Sequence, residues 1–169
     1  MSMRDESTST DSRIVAAPAD ARVAIVASQF NAEICEALLA TAVGHLRAAG
    51  IAHDALTVVR VPGAFEIPVM AATLAARGNL SGILCVGCVI RGETDHFDHI
   101  CRTAADGIAR VALDYRLPVI FGVITAHTRE QALARAGGAH GNMGLQGAQT
   151  LIAMMHAQRD LYGTPTTGA

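Results

Sequence analysis

The stretch CVIRGETDHFDHIC, residues 88–101, brings a guanidinium, a glycine, several carboxylates, a threonine and two imidazoles into one short segment with a thiol at each end. Such residues serve a metal site, a nucleophile with its base, or an anion cradle beside a proton carrier. His96 and His99 stand three apart, so near a helix start they share a face. No third ligand follows at matching spacing, and the pair lacks the glutamate of a metallohydrolase motif. No metal is therefore expected. Gly92 lets the backbone turn sharply and approach a ligand closely. Glu93, Thr94 and Asp95 precede a helix, so their N–H groups face outward with the helix dipole behind them. A phosphate there would be held by main-chain donors and the Thr94 hydroxyl; an ordinary loop and helix cap would use the same residues. Histidine, with an ordinary pKa of about 6.5, is the natural proton carrier beside such an anion. His96 is nearer the cradle and is the candidate; His99 is expected to face solvent or a neighbouring helix.

Cys85 and Cys88 form a C-x-x-C, but inside GILCVGCVI, which reads as a strand. Residues three apart in a strand point to opposite faces, so these sulfurs cannot share a metal. They read as buried structural thiols. The chain also contains no lysine: all 13 basic residues are arginine. Schiff-base, pyridoxal-phosphate and P-loop lysines are thereby excluded. Any imine chemistry must use an amine that the substrate brings.

The elements that position these residues follow from periodicity. RVAIVAS is apolar throughout, as suits a strand buried on both faces. Asn31 can cap the next helix, and Ile34, Leu38, Ala42 and Leu46 recur every four residues up to Gly50. ALTVVRV, GILCVGCVI and LPVIFGVIT read as further strands. FEIPVMAATLAARG, residues 97–115, TREQALARAG and residues 145–161 read as helices, with Pro68 tolerated in a first turn and Thr128 and Gln131 in capping-box spacing. Alternation of apolar strands with helices implies an α/β three-layer sandwich: a four-stranded parallel sheet with helices on both faces. Ligands of such sheets bind beyond the carboxyl ends of the strands. The unusual loops SQFN, VPGAFE and RGETDH all lie there.

In VPGAFE, Pro62 and Gly63 force a turn, and Ala64, Phe65 and Glu66 begin a helix. Free N–H groups and a carboxylate suit a planar ligand with donors and acceptors, or sugar hydroxyls; Glu66 serves equally as a first-turn charge on the dipole. Phe30 at a strand end can stack on a ring, although a phenylalanine there ordinarily belongs to the core. Phe121, inside a strand, is likewise expected in the core.

The chain has 169 residues, of which 51% are apolar, and a net charge of −2. That fits one domain, with no basic face for nucleic acid and no run long enough to span a membrane. MSMRDESTSTDSR lacks the basic start and apolar middle of a secretory signal. We expect a cytoplasmic protein with a flexible segment over residues 1–20, one domain over 21–163 and a flexible tail over 164–169.

FN before an acidic helix start, VPGAFEIP, GCVIRGETDHF, PVIFGVIT, EQALARAGG and GN-x-G occur in that order over residues 22–158. Together they resemble the lumazine synthase family. The resemblance implies a flavodoxin-like strand order. It also implies condensation of 5-amino-6-(D-ribitylamino)uracil with 3,4-dihydroxy-2-butanone 4-phosphate, without metal or organic cofactor, to 6,7-dimethyl-8-ribityllumazine and phosphate. By resemblance, Phe30 stacks on the pyrimidine, and Ala64, Phe65 and Glu66 hold the uracil and ribityl groups. Cys88, Val89 and Ile90 line the ring pocket, Glu93 and Thr94 meet phosphate, and His96 transfers protons. Phe121 and Arg135 would come from an adjacent subunit, Arg135 clamping phosphate. The implied assembly is a homo-oligomer built from pentamers.

One region departs from the family pattern. Ala139 and Met143 stand where lysines are usual, and Gln146 where an acid is usual. Losing a Coulombic partner at a partly exposed site costs about 1 kcal/mol, so weaker binding of the phosphate substrate is expected. The rival readings are a non-catalytic flavin-binding or shell-forming member of the family, or an FMN carrier on the same sheet.

Overall fold

The computed structural model describes residues 14–162. Its sheet consists of β1 (Val23–Ser28), β2 (Leu56–Val61), β3 (Gly82–Ile90) and β4 (Val119–Ala126), all parallel, in the order β2-β1-β3-β4. This is the flavodoxin-like order with the expected strands. β1 is buried at every position and β3 over most of its length, as their unbroken apolar runs require.

Helices α1 (Ala32–Ala48) and α5 (Met143–Tyr162) cover one face, and α2 (Ile67–Ala75) and α3 (His96–Tyr115) cover the other. Strand alternation divides β3 between them. Leu84, Val86 and Cys88 join the core under α1 and α5; Ile83 and Cys85 join the core under α2 and α3. The two thiols of the C-x-x-C thus lie in different cores. Among the described residues no group of three or more His, Cys, Asp or Glu side chains is placed to hold a metal.

Close approaches set the helix spacing. A Cβ on Gly107 of α3 would stand 2.6 Å from Cβ of Pro68 in α2. A Cβ on Gly144 would stand 2.1 Å from the Leu38 carbonyl oxygen of α1. Asn142 then caps α5: its Oδ1 accepts from Gly144 and Leu145 at 2.9 and 3.1 Å, while its Nδ2 donates to Thr41 Oγ1 at 3.1 Å. The GN-x-G motif is therefore a cap followed by a helix–helix contact.

Some local expectations differ. Asn31 stands before α1 in the left-handed conformation, φ 57°, and makes no side-chain cap; its amide goes instead to β3, as described below. The helix expected over TREQALARAG is α4 (Arg129–Ala134), which stops short of Gly137. Residues beyond it form a hairpin, β5 (Ala136–Gly138) with β6 (Gly141–Asn142), antiparallel. Thr128 caps α4 by accepting from Gln131 N at 3.2 Å, but Gln131 Oε1 accepts from His127 N, one residue before the capping-box position.

Of the segment expected to be flexible, residues 1–13 lie outside the described residues, as do residue 163 and the tail 164–169. Residues 14–20 run along the body: Ala17 N donates to the Ala49 carbonyl at 2.8 Å, and His156 Nε2 lies 2.8 Å from the Ala16 carbonyl. No helix among the described residues is long and apolar enough to cross a membrane.

Candidate active site

The loops after β1, β2 and β3 enclose a cavity of about 630 Å³ at the carboxyl edge of the sheet. Phe30 contributes from the first loop. Ala64, Phe65 and Glu66 contribute from the second, where a single 3-10 turn, Ala64–Glu66, leads into α2. Cys88, Val89 and Ile90 form the end of β3, and Thr94 and His96 follow at the start of α3. These sequence-predicted residues converge on one space. Pro62, Gly63, Gly92, Phe97 and Ile100 also line it. Phe97 and Ile100 were missed as wall residues. The available signal was their i, i+3 spacing on the first turn of a helix whose start was already suspect.

Phe30 is 71% exposed and Phe65 53%. Large aromatics at a cavity mouth with that much bare surface offer stacking faces for a planar ring. The carboxylate of Glu66 curls back over its own turn, with Oε2 3.1 Å from where a Cβ on Gly63 would stand. Gly63 therefore leaves room for the carboxylate.

The back wall is fixed by Asn31. The β1–β3 ladder ends at Ala27 and Val86. Past that point the Cys88 carbonyl accepts from Asn31 Nδ2 at 2.9 Å. Cys35 Sγ donates to the Phe30 carbonyl at 3.1 Å, which steadies the same loop. Burial pushes the Cys35 thiol up to about 11 and the Cys88 thiol up to about 12. Both stay protonated at neutral pH, so neither supplies a thiolate nucleophile.

Residues 91–96 are all exposed along the rim, with α3 beginning at His96. His99 is also exposed. Glu93 sits between the lining residues Gly92 and Thr94 without itself lining the cavity. Phe121 lies in β4 opposite Cys85 and is 40% exposed, a departure from the core position expected for it. β4 is the edge strand of the sheet among the described residues. Arg135 is exposed at the end of α4. Neither Phe121 nor Arg135 lines the cavity of its own chain.

Comparison with known proteins agrees with the motifs. The family model for 6,7-dimethyl-8-ribityllumazine synthase matches residues 20–159. The chain belongs to the 6,7-dimethyl-8-ribityllumazine synthase family. It is 42% identical over 140 residues to the 6,7-dimethyl-8-ribityllumazine synthase of Coxiella burnetii (strain CbuG_Q212), covering 83% of this chain and 93% of that one. The enzyme of the same name from Stenotrophomonas maltophilia (strain R551-3) is 45% identical over 144 residues, covering 85% and 93%.

Membership in the lumazine synthase family gives the cavity a chemical context. An open mouth with aromatic faces, a carboxylate beside a turn and a loop leading into a helix offers separate places for a ring, for hydroxyls and for an anion.

Proposed function

We propose that this cavity condenses 5-amino-6-(D-ribitylamino)uracil with 3,4-dihydroxy-2-butanone 4-phosphate to 6,7-dimethyl-8-ribityllumazine, a step of riboflavin biosynthesis. Phosphate and two waters leave. The observation that carries the reading is the convergence of Phe30, Phe65, Glu66, Thr94 and His96 on one cavity of about 630 Å³, a size suited to a ring system with a polyol chain.

Phe30 stacks on the pyrimidine while main-chain groups of Cys88, Val89 and Ile90 read its edge. Ala64, Phe65 and Glu66 hold the uracil and the ribityl hydroxyls. The substrate's own amine attacks the ketone and water leaves as the imine forms, so a chain without lysine loses nothing. His96 then removes a carbon-bound proton as the phosphate departs. Glu93 and Thr94 hold that phosphate through the main chain and a hydroxyl, and the free N–H groups at the start of α3 favour the developing charge. Ring closure and a second loss of water complete the product.

Arg135 and Phe121 complete the site of an adjacent subunit, Arg135 gripping phosphate with its planar fork. A site shared in this way requires a homo-oligomer, which we assign as pentamer-based, working in the cytoplasm. The exposure of both side chains away from their own cavity supports this reading.

The test is to mix the two substrates with purified protein and follow the lumazine chromophore and free phosphate together. The reading expects both, in equal amounts. Binding of the pyrimidine or of a flavin without either product would replace it with a non-catalytic role.

A further inference from the structure

The rim loop that carries Glu93, Thr94 and His96 is exposed along its whole length. A catalytic geometry must nevertheless be held closely, because small misplacements of reacting groups cost large factors in rate. The residue that anchors this loop is Arg91. Its N–H donates to the Ala126 carbonyl at 2.9 Å, where the β3–β4 ladder ends. Its guanidinium lies over the Phe97 ring, 5.5 Å from the centroid. The same guanidinium reaches Asp98 Oδ2 at 3.4 Å. Phe97 in turn meets the His127 ring edge-on, with centroids 6.0 Å apart and planes at 88°. One side chain therefore spans the turn from its first residue to the first turn of α3, and Phe97 ties that turn to the end of β4. The Asp95 carbonyl also accepts from the Asp98 and His99 N–H groups at 3.1 and 3.4 Å, closing the first turn of α3.

We propose that Arg91 is a positioning residue: through Phe97 and Asp98 it holds the phosphate loop and His96 in working register. It does not touch substrate. The proposal rests on the reading of His96 and the loop given above. Arginine suits the task because its planar head can lie on a ring and bond a carboxylate at once, whereas an ammonium is a point charge.

The test uses the full-length protein with Arg91→Ala, Arg91→Lys and Asp98→Asn, measuring kcat and the KM of each substrate. A brace predicts that Arg91→Ala lowers kcat and raises KM for the phosphate substrate, together by about tenfold in kcat/KM. KM for the pyrimidine stays within about twofold, since its wall is built on β3 and Asn31. Arg91→Lys does not rescue. Asp98→Asn moves in the same direction as Arg91→Ala. If the guanidinium instead acted directly on phosphate, Asp98→Asn would release it and lower KM, and Arg91→Lys would retain activity; either result overturns the proposal. Amide hydrogen exchange supplies a readout that does not depend on turnover. The His99 amide, bonded to the Asp95 carbonyl, is expected to exchange faster in Arg91→Ala and Asp98→Asn, and unchanged exchange there would also overturn it. Absence of wild-type turnover would sink the proposed reaction, while the exchange result would still decide whether Arg91 braces the loop.

Discussion

Asn31 donates its side-chain amide to the Cys88 carbonyl oxygen at 2.9 Å, from a backbone held at φ 57°. The bond takes over where the β1–β3 ladder stops and fixes the loop bearing Phe30 against the strand end that lines the cavity. Asparagine tolerates the left-handed region better than alanine, and a carbonyl left without its partner costs about 1–3 kcal/mol. Asn31→Ala is expected to lower stability by about 1–2 kcal/mol in urea unfolding and to raise KM for the pyrimidine more than for the phosphate substrate. Equal KM changes for both would deny the bond its role in the ring pocket.

Gly63 and Glu66 make a second pair. A methyl on Gly63 would stand 3.1 Å from Glu66 Oε2, so the carboxylate, at the free end of its side chain, must shift. Gly63→Ala should leave thermal stability nearly unchanged and weaken pyrimidine binding by about tenfold, about 1.4 kcal/mol. Calorimetric titration with the pyrimidine, or with the lumazine product, reads this directly. Unchanged affinity would mean that Glu66 is only a first-turn charge.

Burial holds the thiols of Cys35, Cys85 and Cys88 at about 11, 12 and 12, against an ordinary value of 9.0. A raised folded-state value means that the folded protein keeps protons which the unfolded chain releases. Their contribution is fully present below pH 9 and is lost as pH rises through 9 to 12. Each such thiol adds a slope of about −1.4 kcal/mol per pH unit within that window. Urea unfolding at pH 8 and pH 10 should show lower stability at pH 10, and Cys85→Ala should flatten the dependence. A stability independent of pH across that interval would contradict the burial of these thiols.

Ala139 is exposed in the turn of the β5–β6 hairpin, which follows Arg135 in the chain, and the family resemblance implies a lysine there. Ala139→Lys is expected to lower KM for the phosphate substrate about threefold to tenfold, with the effect shrinking at high salt. KM for the pyrimidine serves as the control. No change would place this position away from phosphate.

The sheet was legible because β1 and β3 are nearly unbroken apolar runs and the helix after β1 repeats at its own period; Ile34, Leu38 and Leu46 are all fully buried. The rule that ligands bind at the carboxyl edge of a parallel sheet then gathers the odd loops from the sequence. Side-chain partners across space were not legible. Asn31 looked like a cap because asparagine caps helices, yet an orphan carbonyl at the end of β3 took its amide. Phe121 looked like core because it sits inside a strand, but that strand is the sheet's edge. The hairpin after α4 was hidden because AGGAHGN has neither the alternation nor the length of ordinary strands. The place of Arg91 was not legible because nothing in the sequence says that Phe97 and Asp98 turn back towards it.

His96 of one subunit is proposed to act with Arg135 of the next. Subunit complementation tests it most directly. His96→Ala is expected to fold normally and slow lumazine formation by about 10- to 1000-fold, and Arg135→Ala to be nearly inactive at low phosphate substrate. Co-assembled in equal amounts, the two variants should regain about a quarter of wild-type activity, since that share of sites receives both intact side chains in a ring of shared interfaces. Activity in the mixed assembly no higher than the mean of the two pure variants would contradict the shared site.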